Sequence, residues 1–207
     1  MSYNSYLRGI GAVSAVLLVT ACAVPDRVTE TYRSPQLDDA PFDKLLVVDL
    51  SRSAIQRQEA EDRLTKLLAV PPRTVTPSHH ILGLDALDGG QIATAAKELG
   101  VQVVLVTRVE SIRADVEKLE DRADVKVSCR RGEPYDLFLY DYEELPIPDE
   151  MVIKQQVILT ANLYRAGEGT HLWGIQSECF EQASVNDALS RHANHVVTEL
   201  TRARLIR

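Results

Sequence analysis

The sequence predicts a mixed α/β domain in two or three layers, with helices packed on a sheet of about five to six strands. Between residues 45 and 109, short apolar runs alternate with amphipathic segments in the order strand, helix, strand, helix, strand, which is typical of a covered sheet. Residues 151–180 hold two alternating apolar segments joined by a glycine-rich turn, which predict a hairpin. A last amphipathic segment predicts a C-terminal helix.

The first strand and helix follow from an apolar run and the segment after it. Leu45–Val48 is continuously apolar, as expected of a strand covered on both faces. Ser51 and Ser53 are suitable N-caps for the helix that follows, and Pro71-Pro72 ends it. Its predicted apolar face holds Ala60, Leu64, Leu67 and Leu68. The other faces are predicted to hold Glu59, Glu61, Asp62, Arg63 and Lys66.

The next elements are shorter. Residues 73–76 predict a second strand, and a loop with His79 and His80 follows. Apolar residues at helical spacing between positions 92 and 99, closed by Gly100, predict a second helix with a left-handed C-cap. Residues 101–109 predict the third strand.

The hairpin prediction depends on its turn. If Gly169 takes the left-handed position of a three-residue turn, Ala166 pairs with Thr170. Both apolar faces then meet, because a one-residue slip would turn every side chain to the other face. The predicted pairs are Leu163 with Trp173, Ala161 with Ile175, and Val157 with Cys179. The last helix is predicted to begin at a capping box formed by Ser184 and Asp187.

The N-terminus has the pattern of a secretory signal peptide. Arg8 is the one side-chain positive charge before an uncharged stretch over residues 9–20, which is too short to span a bilayer. Val19-Thr20-Ala21-Cys22 resembles the lipobox of bacterial lipoproteins. The resemblance implies cleavage after Ala21, a diacylglyceryl group on the Cys22 thiol, and acylation of the new amine by a chain such as palmitate. Ala23 after the cysteine favours the outer membrane, with the protein facing the periplasm.

These features predict three parts of the chain. Residues 1–21 are a cleaved signal peptide, and residues 22–41, which contain three prolines, are a lipidated tether. Residues 42–207 are a single globular domain with an acidic and aromatic insert at about 111–150. The formal charge of −7 argues against a nucleic-acid partner, which needs a basic surface.

Two further features of the chain are candidate sites. Cys129 and Cys179 both lie on apolar faces of predicted strands, so in an oxidising compartment they are a possible disulfide, or else two separate buried thiols. The insert is the candidate partner contact, because tyrosine is favoured at interfaces. The alternative is a strand of the domain whose leucines pack inward. The candidate contact residues are Tyr135, Phe138, Tyr140 and Tyr142.

The sequence predicts no catalytic residues, no cofactor and no metal site. His79 and His80 are neighbours expected to point apart, and the pair His192 and His195 has no Cys or carboxylate at a compatible spacing. Gly89-Gly90 precedes a helix without a phosphate-binding motif, and a turn is the simpler interpretation. No GxSxG or HExxH motif occurs, so the prediction is that the protein is not an enzyme.

The order of elements is similar to that of a group of outer-membrane lipoproteins with compact α/β bodies. The matching features are Val-Val-Leu-Val-Thr-Arg-Val at 103–109, Asn-Leu-Tyr at 162–164, Leu-Trp at 172–173 and the final helix to Ile206. The group includes the penicillin-binding-protein activator lipoproteins, the curli-secretion lipoprotein and the N-terminal domain of the Tol-system propeller protein. The resemblance implies a binding or scaffold role.

Three functional classes follow. The first is a lipid-anchored adaptor, held to the membrane through its N-terminal lipid, that binds another envelope protein. The second is a structural subunit of an envelope secretion or assembly complex, in which the domain oligomerises. The third is a small-ligand binder or enzyme, which would show a pocket with converging polar groups.

Overall fold

The computed structural model describes residues 25–37, 41–85, 87–116, 128–132, 137–141, 153–182 and 184–207. They form a six-stranded sheet, a separate two-stranded sheet and four helices, so the predicted α/β class is confirmed. The strands are β1 (Arg27–Arg33), β2 (Lys44–Asp49), β3 (Thr74–Pro77), β4 (Val103–Val116), β5 (Ser128–Gly132), β6 (Leu137–Asp141), β7 (Ile153–Arg165) and β8 (His171–Gln182). The helices are α1 (Ala54–Leu68), α2 (His79–Leu82), α3 (Gly89–Leu99) and α4 (Val185–Arg202).

The main sheet has a parallel part and an antiparallel part. Its strand order is β1-β8-β7-β4-β2-β3. The strands β3, β2 and β4 run parallel, because α1 and α3 carry the chain back between them. The strands β4, β7, β8 and β1 are antiparallel neighbours. No helix of the described residues is long and apolar enough to cross a membrane.

Helices cover the two faces of the sheet unequally. On one face, α1 and α4 pack over a large core in which Trp173, Leu105 and Leu163 are fully buried. On the other face, α3 covers β2 and β4 through Ile92 and Ala96. The continuous apolar run of β2 follows from this arrangement, since its side chains alternate between two covered faces.

The helix caps agree with the sequence in three places. Ser53 accepts from Gln56 N–H at the start of α1, and Ser184 accepts from Asp187 N–H at the start of α4. Gly100 closes α3 in the left-handed conformation, with φ of 59°. Local polar groups thus satisfy backbone donors and acceptors that helix ends leave free.

The hairpin of β7 and β8 has the predicted face pairing and a different turn. Leu163 lies opposite Trp173, Ala161 opposite Ile175, and Val157 opposite Cys179, and Gly169 has the predicted positive φ. The backbone N–H that bonds to the Thr170 carbonyl is that of Arg165, not Ala166, so the turn is one residue longer than predicted. A register shift between Leu163 and Tyr164 compensates for the extra residue.

The stretch predicted to be a tether contains a strand. β1 pairs antiparallel with β8 at the edge of the sheet, and Ser34 N–H donates to the Leu172 carbonyl at 2.8 Å. Val28 packs against the main core, and Glu30 accepts from Trp173 Nε1 at 3.0 Å. Most of β1 is exposed, so its sequence lacks the alternation that identifies a half-buried strand. The tether predicted over 22–41 therefore does not extend through Arg27–Arg33.

The strands that flank the insert are longer than the sequence indicates. β4 continues to Val116, and it pairs with β7 as far as Ile153. A register shift between Val109 and Ser111 marks where the predicted strand ended. Within the insert, β5 and β6 form an antiparallel pair with Cys129 opposite Tyr140. The predicted strand that holds Cys129, over residues 123–129, lies mostly outside the described residues.

Candidate functional site

Most of the buried polar and charged side chains lie at one end of the sheet. At this end lie the carboxyl ends of β2, β3 and β4, the beginnings of β1 and β7, the end of β8 and the beginning of α4. We call it the anchor end, because Arg27, the first residue of β1, lies there five positions after Cys22. In open α/β sheets, ligands bind outside the carboxyl ends of parallel strands.

A fully buried carboxylate organises the anchor end near β2 and β3. Glu61 on α1 has no exposed surface and accepts from five groups. Two are the backbone N–H groups of Asp49, at 3.1 Å, and His79, at 2.8 Å. The other three are the Ser78 hydroxyl at 2.6 Å, Arg57 Nε at 3.1 Å and His79 Nδ1 at 2.8 Å. Glu61 therefore ties β2 and α2 to α1.

Arg57 compensates the charge of Glu61. It lies one helical turn earlier on α1, and its Nε bonds to Glu61 Oε1. Its Nη1 donates to the Asp85 carbonyl at 2.8 Å, and its Nη2 donates to Ser78 Oγ at 3.0 Å. The sequence predicts Glu61 on an outer face of the helix, and this prediction is wrong, because Glu61 is fully buried. An Arg four residues before a Glu is also a common surface pair, so the spacing alone does not indicate burial.

A cleft opens beside this network. It has a volume of about 270 Å³ and is lined by Asp49, Leu50, Ser51, Arg52, Arg57, Leu84, Asp85 and Leu87. Asp49 is buried at its base, accepting from Ser51 N–H at 2.9 Å and from the Thr107 hydroxyl at 2.7 Å. Burial, with a smaller contribution from the charge of Glu61, raises the pKa of Asp49 to about 6 against the lowering effect of its hydrogen bonds with Ser51 and Thr107.

The polar groups beside the cleft already bind one another. Each Arg57 nitrogen donates to a protein acceptor, and both Glu61 oxygens accept from protein donors. Groups bound in this way position the backbone around the cleft, and they offer few free contacts to a substrate.

A second polar cluster lies at the anchor end between β8 and α4. Asp26, Cys179 and His195 can place one ligand atom each within 4.8 Å of one another. Asp26 also accepts from Arg191 Nη1 at 3.3 Å and from Phe180 N–H at 3.3 Å. Burial and the nearby Asp26 carboxylate raise the pKa of the Cys179 thiol to about 12, which leaves it protonated and unreactive.

His192 lies beside this cluster in the core. Its Nδ1 is 3.0 Å from Ser177 Oγ, and its side chain is almost fully buried. Burial lowers the pKa of His192 to about 3, with a further contribution in the same direction from His195. The helical spacing of His192 and His195 pairs these two histidines. It does not place Asp26 or Cys179 near them, because Asp26 and Cys179 come from distant parts of the chain.

Other predicted site residues lie partly outside the described structure. Cys22, Tyr135 and Tyr142 are not among the described residues, whereas Phe138 and Tyr140 lie on β6. Cys179 is buried on the predicted face of β8, with no disulfide partner among the described side chains. Only the backbone of Cys129, on β5, is described. The disulfide between Cys129 and Cys179 therefore stays a prediction.

The two adjacent histidines do not point apart as expected. The sequence predicted a loop at this point, but His79 and His80 begin α2. Their ring centroids lie 4.5 Å apart with the rings edge to face. The difference has a physical cause: consecutive side chains diverge by about 180° on an extended chain and by about 100° on a helix.

No protein-family model matches the sequence, and no curated protein matches it. Among solved structures, a PelC dodecamer from Paraburkholderia phytofirmans is 15% identical with a TM-score of 0.47, covering 88% of this chain and 100% of that one. A second crystal form of the PelC dodecamer has a TM-score of 0.45 at 14% identity, covering 88% and 99%. Lipoprotein GNA1162 from Neisseria meningitidis is 15% identical with a TM-score of 0.38, covering 77% and 98%.

Proposed function

We propose that the protein is a lipid-anchored module of the bacterial cell envelope that acts as a non-catalytic adaptor or scaffold for another envelope protein. The lipobox at residues 19–22 supports the anchor, and it supports a location at the outer membrane facing the periplasm. The polar groups of Arg57 and Glu61, which bind one another, support a role without catalysis.

The observation that most supports this proposal is the short distance along the chain between Cys22 and the folded body. Asp26, four residues later, is held by Arg191, by Phe180 N–H and, at 3.7 Å, by His195 Nε2. Four residues span at most about 14 Å when fully extended. A lipid on Cys22 would therefore keep the anchor end close to the membrane surface, in place of a body on a long flexible tether.

The insert leaves the body at the same end. β4 runs toward the anchor end and leads into the insert after Val116, and β7 returns from it at Ile153. The two strands pair along the whole of this extension, so they form a two-stranded support for the segment between them. The partner proposed for Tyr135, Tyr140 and Tyr142 would then lie near the membrane surface.

Crosslinking in intact cells tests this proposal. Replacing Tyr135, Tyr140 and Tyr142 together with Ser should abolish the crosslink between the protein and its envelope partner. The unfolding temperature should change little, because exposed substitutions usually cost under about 0.5 kcal/mol. The matched control is Tyr32→Ser, which removes an exposed tyrosine from β1 and should leave the crosslink intact.

Three results would contradict the proposal. An unchanged crosslink in the triple variant would remove the insert from the contact. A large loss of stability would place the tyrosines in the core. A crosslink formed solely between copies of this chain would favour the structural-subunit alternative over an adaptor.

A further inference from the structure

The geometry points to a binding site for a divalent transition metal, best suited to Zn²⁺, formed by Asp62 on α1 together with His79 and His80 on α2. One ligand atom from each of the three residues can lie within 4.8 Å of the other two. Imidazole nitrogen and carboxylate oxygen are both usual Zn²⁺ ligands. The inference goes beyond the proposed adaptor role and does not depend on it.

The spacing of two donor atoms already fits tetrahedral coordination. His79 Nε2 and Asp62 Oδ1 are 3.4 Å apart. Two ligands bound to Zn²⁺ at about 2.0–2.1 Å in a tetrahedral arrangement are separated by about 3.3 Å. An ion can therefore bind both atoms with little movement of either side chain.

His79 is held in the orientation and tautomer that a metal ligand needs. Its side chain is 7% exposed, and its Nδ1 lies 2.8 Å from Glu61 Oε2. Because the Glu61 carboxylate is an acceptor, Nδ1 carries the proton in the neutral ring, and Nε2 then keeps the lone pair that a metal ion binds. Nε2 is shielded from solvent and has no hydrogen-bond partner among the described residues, an arrangement that is costly unless another group binds there.

Glu61 corresponds to the outer carboxylate found behind many metal-binding histidines. Such a carboxylate accepts the second ring N–H, fixes the ring and makes the ligand more basic. Glu61 is itself fixed by Arg57, by the Ser78 hydroxyl and by backbone N–H groups. The support for His79 is therefore complete before any ion binds.

The other two ligands are free to adjust. His80 is exposed, and the Asp62 side chain is 51% exposed. The His80 ring lies edge to face against His79 with ring centroids 4.5 Å apart, so a rotation of one side chain can complete three protein ligands. A fourth position would face solvent and take a water molecule, as in zinc sites with three protein ligands.

The cluster of Asp26, Cys179 and His195 is a poorer candidate for the same ion. Asp26 lies against the Arg191 guanidinium at 3.3 Å, whose positive charge opposes a cation at that point. Ion binding there would have to displace an arginine, whereas at Asp62, His79 and His80 the two groups already 3.4 Å apart are both ligands that the ion would join. The second cluster provides a matched control.

Titration of Zn²⁺ into the full chain in detergent tests the site. The protein should be purified without a polyhistidine tag, stripped with a chelator and studied by calorimetry. We expect one ion to bind, and His80→Gln and Asp62→Asn to weaken binding at least tenfold, because each removes a ligand. His195→Gln should bind as tightly as the parent.

Two results of the titration would overturn the assignment. The first is that the parent protein binds no Zn²⁺, and the second is that His195→Gln loses binding while His80→Gln binds as tightly as the parent. Replacing Zn²⁺ with Co²⁺ gives a second readout, because a thiolate-to-cobalt charge-transfer band would place the ion at a cysteine, Cys129 or Cys179, and would overturn the site at Asp62, His79 and His80. Glu61→Gln should fold, as judged by circular dichroism, and bind 10- to 100-fold more weakly. Unchanged affinity in that variant would overturn the role of Glu61.

Discussion

His192 shows how a single buried side chain can set the response of the fold to acid. Its pKa is lowered from 6.5 to about 3, chiefly by burial on α4 against β8. The folded state therefore disfavours protonation that the unfolded chain accepts freely. The stability that comes from a neutral His192 is fully present above pH 6.5, and it is lost as the pH falls from 6.5 toward 3.

The variant His192→Gln should lose this part of the pH dependence. Between pH 7 and pH 4 the parent should lose about 3 kcal/mol more free energy of unfolding than the variant, since one pKa unit corresponds to about 1.4 kcal/mol. Denaturant unfolding at several pH values measures the difference. Equal pH profiles for the two proteins would show that the pKa of His192 is the same in the folded and unfolded states.

The titration of Asp49 changes the stability of the fold in the opposite direction. The contribution of His192 is therefore isolated by comparing the parent protein with the His192→Gln variant. Its pKa is raised from 3.8 to about 6, mainly by burial. The associated stability is fully present below pH 3.8 and is lost as the pH rises through 6. In the parent protein, the two buried groups partly offset each other across the same pH range.

At the scale of elements, the close packing of β8 against β1 and β7 depends on the glycine in its middle. A Cβ added at Gly174 would overlap Asn162 Oδ1, and it would lie 3.0 Å from Thr31 Oγ1 and 3.2 Å from His171 Nε2. The side chain of Asn162 cannot simply move away, because its Oδ1 is 3.1 Å from His171 Nε2.

Gly174→Ala should therefore destabilise the protein by about 1–3 kcal/mol, as overpacking does elsewhere. Adding Asn162→Ala to Gly174→Ala should recover part of the loss, because it removes the nearest atom. A double-mutant cycle by denaturant unfolding checks this, and strict additivity of the two changes would contradict the contact.

The sequence predicts well those elements whose side chains alternate between core and solvent. The hairpin pairs Leu163 with Trp173 as expected, because both faces must be buried together. β1 could not be found this way, because edge pairing through the backbone leaves little trace in its side chains. Glu61 and His79 were missed for a related reason: their contacts join α1 to α2 across 18 positions, and local spacing carries no record of such contacts.

At the scale of the whole molecule, the proposed lipid on Cys22 would give the body a defined orientation at the membrane. Arg113, near the end of β4, and Glu168, in the turn after β7, are both exposed and lie at opposite ends of the sheet. Gln156, which pairs with Arg113, is nine residues before Arg165, a separation of about 30 Å along the strand.

Labels at these two positions should therefore differ in their distance from the membrane. Arg113→Cys and Glu168→Cys, each combined with Cys129→Ser, can be labelled with a donor dye in lipid vesicles that contain an acceptor dye. Energy transfer should be stronger from position 113. Equal energy transfer from both positions would contradict a fixed orientation, and it would indicate that a flexible tether joins Cys22 to the body.

The pairing of β1 with β8 also decides how the body withstands a mechanical load. A pull from a lipid on Cys22 would act on the first residue of β1 and along the strand axis. A load in that direction is a shear that strains all the rungs of the β1–β8 ladder together, whereas a perpendicular load would unzip them one at a time. Asp26 lies between Cys22 and β1, so its contacts with Arg191 and Phe180 bear the force before the ladder does. A load along the strand would then meet the strongest geometry that a single edge strand can offer.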